Sequence, residues 1–253
     1  MKKTIKLSLF ILASLLILNT YGQGDDYWIR PCKCDPNLTS LFNGDVLDIL
    51  FLSGMYNSRM LGNLSSSMLM PGGTPPEIKE DPDGGPPDNV AYVEWTCKYS
   101  LGKLSDGDTT TAWAEGEDGS GIGVVLIWPH QINNGKPLKI WAGYGKSNAT
   151  FITNNRPKKV RVVVISAETH DFSQNDEWYR TLKVVKDSVV ILKDLNGFQN
   201  LFLPTFKEES YFSQDRKEDV PYNYLLGLEI LEVYPGTKYD DTCITEISGV
   251  EDK

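Results

Sequence analysis

The run LSDGDTTTAWAEGEDGSGIG, Leu104 to Gly123, is the most distinctive stretch of the chain. Asp106, Gly107 and Asp108 followed by three threonines make a sharp turn with oxygen atoms gathered on it. Such a turn is either an Asx-stabilised corner or a small seat for calcium. Trp113, two residues beyond Thr111, reads as a core plug at the edge of a sheet rather than a sugar platform. The acidic glycine-rich loop that begins at Glu115 reads as exposed, and Glu115 joins a ligand set only if it faces the neighbouring loops. The run ends on an apolar strand, Val124 to Trp128.

Downstream, short apolar or alternating runs recur between Gly, Asn and Asp turns. They are Leu138–Tyr144, Lys159–Ile165, Trp178–Val185, Ser188–Lys193, Gln199–Leu203, Tyr224–Tyr234 and Cys243–Ile247. No stretch keeps a helical period for long, so the region predicts an antiparallel all-β sandwich or barrel.

Upstream, PGGTPPEIKEDPDGGPPDN (71–89) has no apolar periodicity and many residues that break regular structure, so it reads as a linker. Residues 23–70 form an N-terminal extension, in which Leu38–Phe42 and Val46–Leu52 predict one or two short helices, a small cap on the main domain or a partner-binding element. Residues 1–22 carry Lys2, Lys3 and Lys6, an apolar run from Leu7 to Leu18, and Thr20-Tyr21-Gly22 before a cut at Gln23. That is the pattern of a secretory signal peptide, placing the mature protein outside the cell or in the periplasm. No later apolar run reaches the roughly 20 residues that spanning a bilayer needs.

The 253 residues carry a net charge of -9, which excludes a basic face for nucleic acid. Cys32, Cys34, Cys97 and Cys243 permit two disulfides in an oxidising compartment, and a bond between Cys32 and Cys34 would be strained. Pairings with Cys97 or Cys243, a Cys97–Cys243 bond, and free buried thiols all stay open. Zinc is disfavoured, because only His130 and His170 accompany these cysteines and the ligand spacing is absent.

The run Leu104–Gly123, then WAGYGKS (141–147), NRPKK (155–159) and VYPGTKYDDTCITEI (233–247), together resemble the discoidin-like domain named for NAD glycohydrolase translocation in bacterial secreted proteins. That domain is related to factor V/VIII type C and galactose-binding-like carbohydrate modules. The likeness covers residues 90–250 and leaves 24–89 unassigned. It implies a jelly-roll β-sandwich whose end loops bind glycans or other surface ligands without catalysis. It also implies a structural calcium, held by the Asp106 carboxylate, the Asp108 carbonyl, the Thr111 hydroxyl and carbonyl, and the Glu246 carboxylate, with no organic cofactor. A buried acid on the last strand facing Asp106 would in any case need a cation or donors between the two.

For the ligand surface, Trp141, Tyr144, Lys146, Asn148, Phe151, Asn154, Asn155 and Arg156 crowd one strand end and loop. This is the mix of aromatic faces and planar donors that sugar recognition uses. Asn155 and Arg156 also suit a role as a turn brace, and Trp178 is a further candidate. The chain has no Gly-x-Ser-x-Gly elbow, no His-Glu-x-x-His helix and no phosphate loop. Its acid pairs follow from an acidic composition, and both histidines read as surface residues. The expected function is a secreted carbohydrate-binding module. A structural or protein-interaction domain of an exported assembly stands second, and a hydrolase trails both.

Overall fold

The computed structural model describes residues 31–53, 64–79, 88–172 and 176–249. The signal peptide expected over 1–22 and the centre of the 71–89 linker lie outside these residues. Among the described residues, no helix is long and apolar enough to cross a membrane.

Two long strands, β5 (Arg156–Phe172) and β10 (Asn223–Tyr234), pair antiparallel at the heart of the larger sheet. On β5, Val160, Val162, Val163, Val164 and Ile165 are all 0% exposed, so both faces of this strand are covered. The nearly continuous apolar run signals as much, since a strand with one wet face would alternate. The sheet is completed by β1 (Leu47–Ser53), β3 (Val125–Gln131) and β6 (Asp176–Ile191), in the order β1-β6-β5-β10-β3.

The second sheet has the order β2-β11-β4-β7, from β2 (Trp113–Ala114), β11 (Cys243–Gly249), β4 (Leu138–Ala142) and β7 (Gln199–Leu201). One apolar cluster joins Val162 and Leu228 of the larger sheet to Ile140, Ile244 and Ile247 of the smaller one. The molecule is therefore an all-β sandwich, as expected. Trp113 is 0% exposed and fills the end of this core. A hairpin of β8 (Ser210–Ser213) and β9 (Glu218–Pro221) stands beside the two sheets.

The N-terminal segment departs from the expectation. Leu38–Phe42 is helical (α1), but Leu47–Ser53 is β1, an edge strand paired with β6. The 46–52 run is thus not a helix, because its backbone groups find partners on an existing sheet edge, which a sequence window does not show. The segment packs on the main domain and shares its core, with Leu38, Leu41 and Phe42 in the main apolar cluster. A Cβ on Gly227 would come within 2.5 Å of Val163 and 2.7 Å of the Phe42 ring, so the missing side chain leaves the space that Phe42 occupies. Arg161 donates to the Phe42 carbonyl at 2.9 Å while pairing with Asp187 at 2.8 Å and Glu229 at 3.3 Å. Further along, Ser66 donates its amide to Val125 O at 2.8 Å and Leu69 donates to Ala114 O at 2.8 Å, so this stretch runs along β3 and β2.

One disulfide, Cys32–Cys97, ties the segment to α2 (Val90–Thr96), while Cys34 is exposed and free and Cys243 is buried and free. The two bonds that the even cysteine count permits reduce to one. Two strands expected over 178–185 and 188–193 are a single β6, and the apolar strand expected over Val124–Trp128 runs on through Pro129 and His130 to Gln131 as β3. Proline is tolerated there because β3 is an edge strand with a register shift against β10 at Leu225/Leu226. His130 is exposed, as expected of a surface histidine, with its ring 4.7 Å from that of Trp128; the partial desolvation on that side lowers its pKa.

Phe42→Ala is expected to lower unfolding free energy by about 3–5 kcal/mol, as for other buried aromatic truncations. Breaking the Cys32–Cys97 bond, with its sequence separation of 65, should remove about 4 kcal/mol on the chain-entropy account. Urea unfolding of each variant measures both, and two unchanged midpoints would mean that the N-terminal segment is a detachable cap.

Candidate functional site

The turn that opens the distinctive run is anchored by Leu101 and Leu104, both 0% exposed, in a short 3-10 segment, Leu101–Ser105. Asp106 accepts the Asp108 amide at 2.9 Å, and Asp108 accepts the Thr110 amide at 2.8 Å and hydroxyl at 2.7 Å. Gly107, at φ 72°, supplies the left-handed residue between the two aspartates. The side-chain hydrogen bond from Thr110 is the largest of the effects holding the Asp108 carboxyl below the usual range. The Asx corner is therefore present in full.

Glu246 on β11 lies under this turn and is 6% exposed. Its pKa is pushed up to about 7, first by burial and then by the negative charge of Asp106; a backbone hydrogen bond from Gly107 opposes the shift. Its Oε2 is buried without a hydrogen-bond partner. Beside it, the Thr111 hydroxyl has Asp106 Oδ2 at 2.9 Å, Asp106 Oδ1 at 3.1 Å and Asp108 O at 3.0 Å, three acceptors for one proton. An orphaned carboxylate oxygen in a crowd of oxygens with too few protons suits a hard cation, so the residues present fit calcium. Among the described residues, no group of three or more His, Cys, Asp or Glu is placed to hold a metal. The set at this turn has two carboxylates and completes itself with hydroxyl and carbonyl oxygens.

Glu115 is not on an exposed loop. It is 0% exposed, its Oε1 accepts the Thr242 amide at 3.0 Å, and its Oε2 accepts the Glu117 amide at 2.8 Å. Burial pushes its pKa up to about 7 against those two bonds. Glu115 is a clasp between the loop and the approach to β11, reinforced by its amide on Thr242 O at 3.1 Å. An acidic, glycine-rich context points outward, and only the tertiary fold turns this side chain in.

Around Trp141 the strand alternates, with Ile140 and Ala142 buried and Trp141 half-buried on the outer face of the smaller sheet. Its register partner is Glu246, so the two side chains are neighbours on that face. The indole is fixed from three sides. Nε1 donates to Asn196 Oδ1 at 3.1 Å, the Phe198 ring meets it edge-on at a centroid distance of 5.3 Å, and a Cβ on Gly145 would come within 2.7 Å of it. Asn196 in turn donates to Asn148 Oδ1 at 2.6 Å, and Phe198 is 41% exposed. Asn196 and Phe198 were not among the sequence candidates. Their Asn-Gly turn reads only as a connection, and nothing local ties it to Trp141, 55 positions away.

Of the other candidates, Lys146 is exposed and its charge acts on Asp108. Tyr144 is half-buried against Ala112, Ala114 and Cys243, and burial raises its phenol pKa. Asn155 and Arg156 are both buried and face inward. Asn155 donates to Asp240 O at 2.6 Å and accepts the Gly236 amide at 2.6 Å. Arg156 holds Asp194 with two bonds, at 2.8 and 2.9 Å, and donates to Asn154 O at 2.9 Å and Pro235 O at 3.2 Å. Their contacts are those of the turn brace. Phe151 is buried under the Arg156 guanidinium. Trp178 pairs through its backbone with Phe51 and Asp171, and its side chain lies outside the described structure. Cys243 is buried, and burial pushes its thiol pKa up.

A family model for the NAD glycohydrolase translocation F5/8 type C domain matches residues 91–249. Among solved structures, a Ruminococcus gnavus GH29 fucosidase in complex with fucose matches at 10% identity and a TM-score of 0.30, over 62% of this chain and 23% of that one. A point mutant of the same fucosidase, also with fucose, matches with the same values. The chain thus spans less than a quarter of those fucosidases. A search of curated protein sequences gives no match.

Glu115 and Glu246 hold their protons more tightly folded than unfolded, with pKa values of about 7 against the ordinary 4.5. Without metal, stability from these groups is therefore full below that ordinary value and falls as pH rises towards 7. The thermal midpoint in chelator is expected to be higher at pH 5 than at pH 8. Glu246→Gln should narrow that difference and raise the pH 8 midpoint, and equal midpoints at both pH values would contradict the account.

Proposed function

The chain belongs to the NAD glycohydrolase translocation F5/8 type C domain family, and on that premise we propose that it is an exported, non-catalytic recognition module that binds a glycan on the Trp141 surface. The observation that carries this reading is the immobilised indole, held by Asn196 and packed edge-on with Phe198. A rigid aromatic face stacks on the C–H face of a pyranose at little entropic cost, while the linked amides of Asn196 and Asn148 offer planar donors and acceptors to its hydroxyls. Lys146 borders the same surface on the side of the Asp106–Thr111 turn.

Calcium serves as the staple of that turn in this reading. Asp106, Thr111 and Glu246, with the Asp108 carbonyl, would hold it, and the ion would neutralise the acids that burial brings together. Because Glu246 is the register partner of Trp141, the staple steadies the strand that carries the indole. Neither Glu115 nor Glu246 is presented to a substrate, since Glu115 is clasped by two amides and Glu246 lies under the turn.

Protein docking is a second reading, favoured by Phe198 at 41% and Phe202 at 62% exposure, which flank β7 on either side. A glycan array with the mature chain separates the two. Binding is expected, with at least a tenfold loss in Trp141→Ala and a smaller one in Asn196→Ala, and an array without signal overturns the glycan reading. Calcium at a hundredfold excess over its dissociation constant should stabilise the protein by about 2.7 kcal/mol at pH 8. Glu246→Gln should lose that gain, and an unchanged midpoint for the wild-type chain with calcium sinks the staple.

A further inference from the structure

A cavity of about 310 Å³ lies where β6 and the start of β10 meet the loop that carries Thr205 to Glu209. Its position along β5 is set by Ser166, ten residues beyond Arg156, which braces the turn beside the Trp141 surface. At about 3.3 Å per residue the two places are about 30 Å apart.

The charge on this cavity comes from a fault in strand pairing. Lys183 pairs with Ser166 and Lys186 with Val164, although three positions separate the lysines and two separate their partners. A register shift between Val164 and Ile165 leaves one residue of β6 unmatched. In a regular strand, side chains three apart point to opposite faces; the bulge brings both lysines to one face, and both line the cavity. Lys207 lines it from the loop and pairs with Glu209 at 3.0 Å, but among the described residues no ion pair is formed by Lys183 or Lys186. Three ammonium groups thus face a single carboxylate, in a chain whose net charge is -9.

The rest of the wall is aromatic and stiff. Phe206 and Tyr224 have ring centroids 4.5 Å apart, and the Tyr224 hydroxyl accepts the Glu209 amide at 2.7 Å. Asn134 clamps Phe206 from behind, donating to its carbonyl at 2.6 Å and accepting its amide at 3.3 Å. Tyr222 adds a half-buried ring, and Ser166 and Thr205 add hydroxyls. No arginine fork is present in the lining to grip a phosphate bidentately. The volume is at the low end for ligand sites, enough for one sugar ring.

We propose that this cavity binds a carboxylate-bearing sugar residue of the hexuronic or sialic acid class, with Lys183 and Lys186 on the carboxylate and the aromatic wall against the ring. The site is independent of the Trp141 surface. The test titrates the mature, 15N-labelled chain with D-glucuronate, N-acetylneuraminate, D-glucose and inorganic phosphate, followed by amide NMR shifts. One or both acidic sugars should shift amides within 183–186 and 205–209, with affinity falling severalfold when NaCl is raised from 50 to 300 mM. Lys183→Gln with Lys186→Gln should weaken that binding at least tenfold at an unchanged thermal midpoint, while Trp141→Ala leaves it intact. The proposal is overturned if neither acidic sugar shifts these amides, if glucose or phosphate binds as tightly, or if the double variant keeps its affinity. Loss of binding in Trp141→Ala alone would place the ligand on the other surface and overturn it as well.

Discussion

Burial of the β5–β10 ladder on both faces is the constraint from which the rest of the architecture follows. A ladder this apolar leaves no face for water, so each side needs a cover of its own. The smaller sheet covers one side. On the other, Phe42 enters the space left by Gly227, and Arg161 closes over the helix end by binding its carbonyl. The N-terminal segment is thus a wall of the core, and the Cys32–Cys97 bond ties its start to the end of α2 in a separate small cluster with Met68 and Val93.

The seam between the last strand and the earlier loops presents a different difficulty, the burial of acids. Glu115 resolves it locally, with one backbone amide for each carboxylate oxygen. Glu246 does so only in part, since one of its oxygens stays unmatched beneath Asp106. Desolvation raises both pKa values, yet the two sites differ in what remains open to a ligand. The first is complete within the protein; the second has room in its chemistry for a cation. Trp141 stands beside the incomplete one, as the register partner of Glu246 across β4 and β11.

Much of the sandwich was legible in local pattern. Short apolar or partly alternating runs marked β4, β5 and β10, and the buried Trp113 was readable from its place after a turn. The 46–52 run was misread because an edge strand with a mixed apolar pattern carries the same local signal as a short helix, and its pairing partner is more than a hundred residues away. Glu115 was misread because composition describes a loop but not the direction of one side chain in it. Asn155 and Arg156 suited both a ligand contact and a turn brace in the sequence, because the acceptors they reach, Asp194, Pro235 and Asp240, lie on other turns. The lysine pair of β6 left no trace at all, because a bulge shows only when both strands are in view.

By itself the sequence determined the all-β class, the turn chemistry of Asp106 to Thr111, the acidic charge and the likeness to a secreted binding domain. These rest on neighbours in the chain, where backbone propensity and hydrogen-bonding chemistry act over a few residues. Tertiary structure alone decided which further side chains converge: Asn196 and Phe198 on the indole, Phe42 against Gly227, and Lys183 with Lys186 on one wall. Convergence depends on strand order and register, and a shift of one residue sends every following side chain to the opposite face.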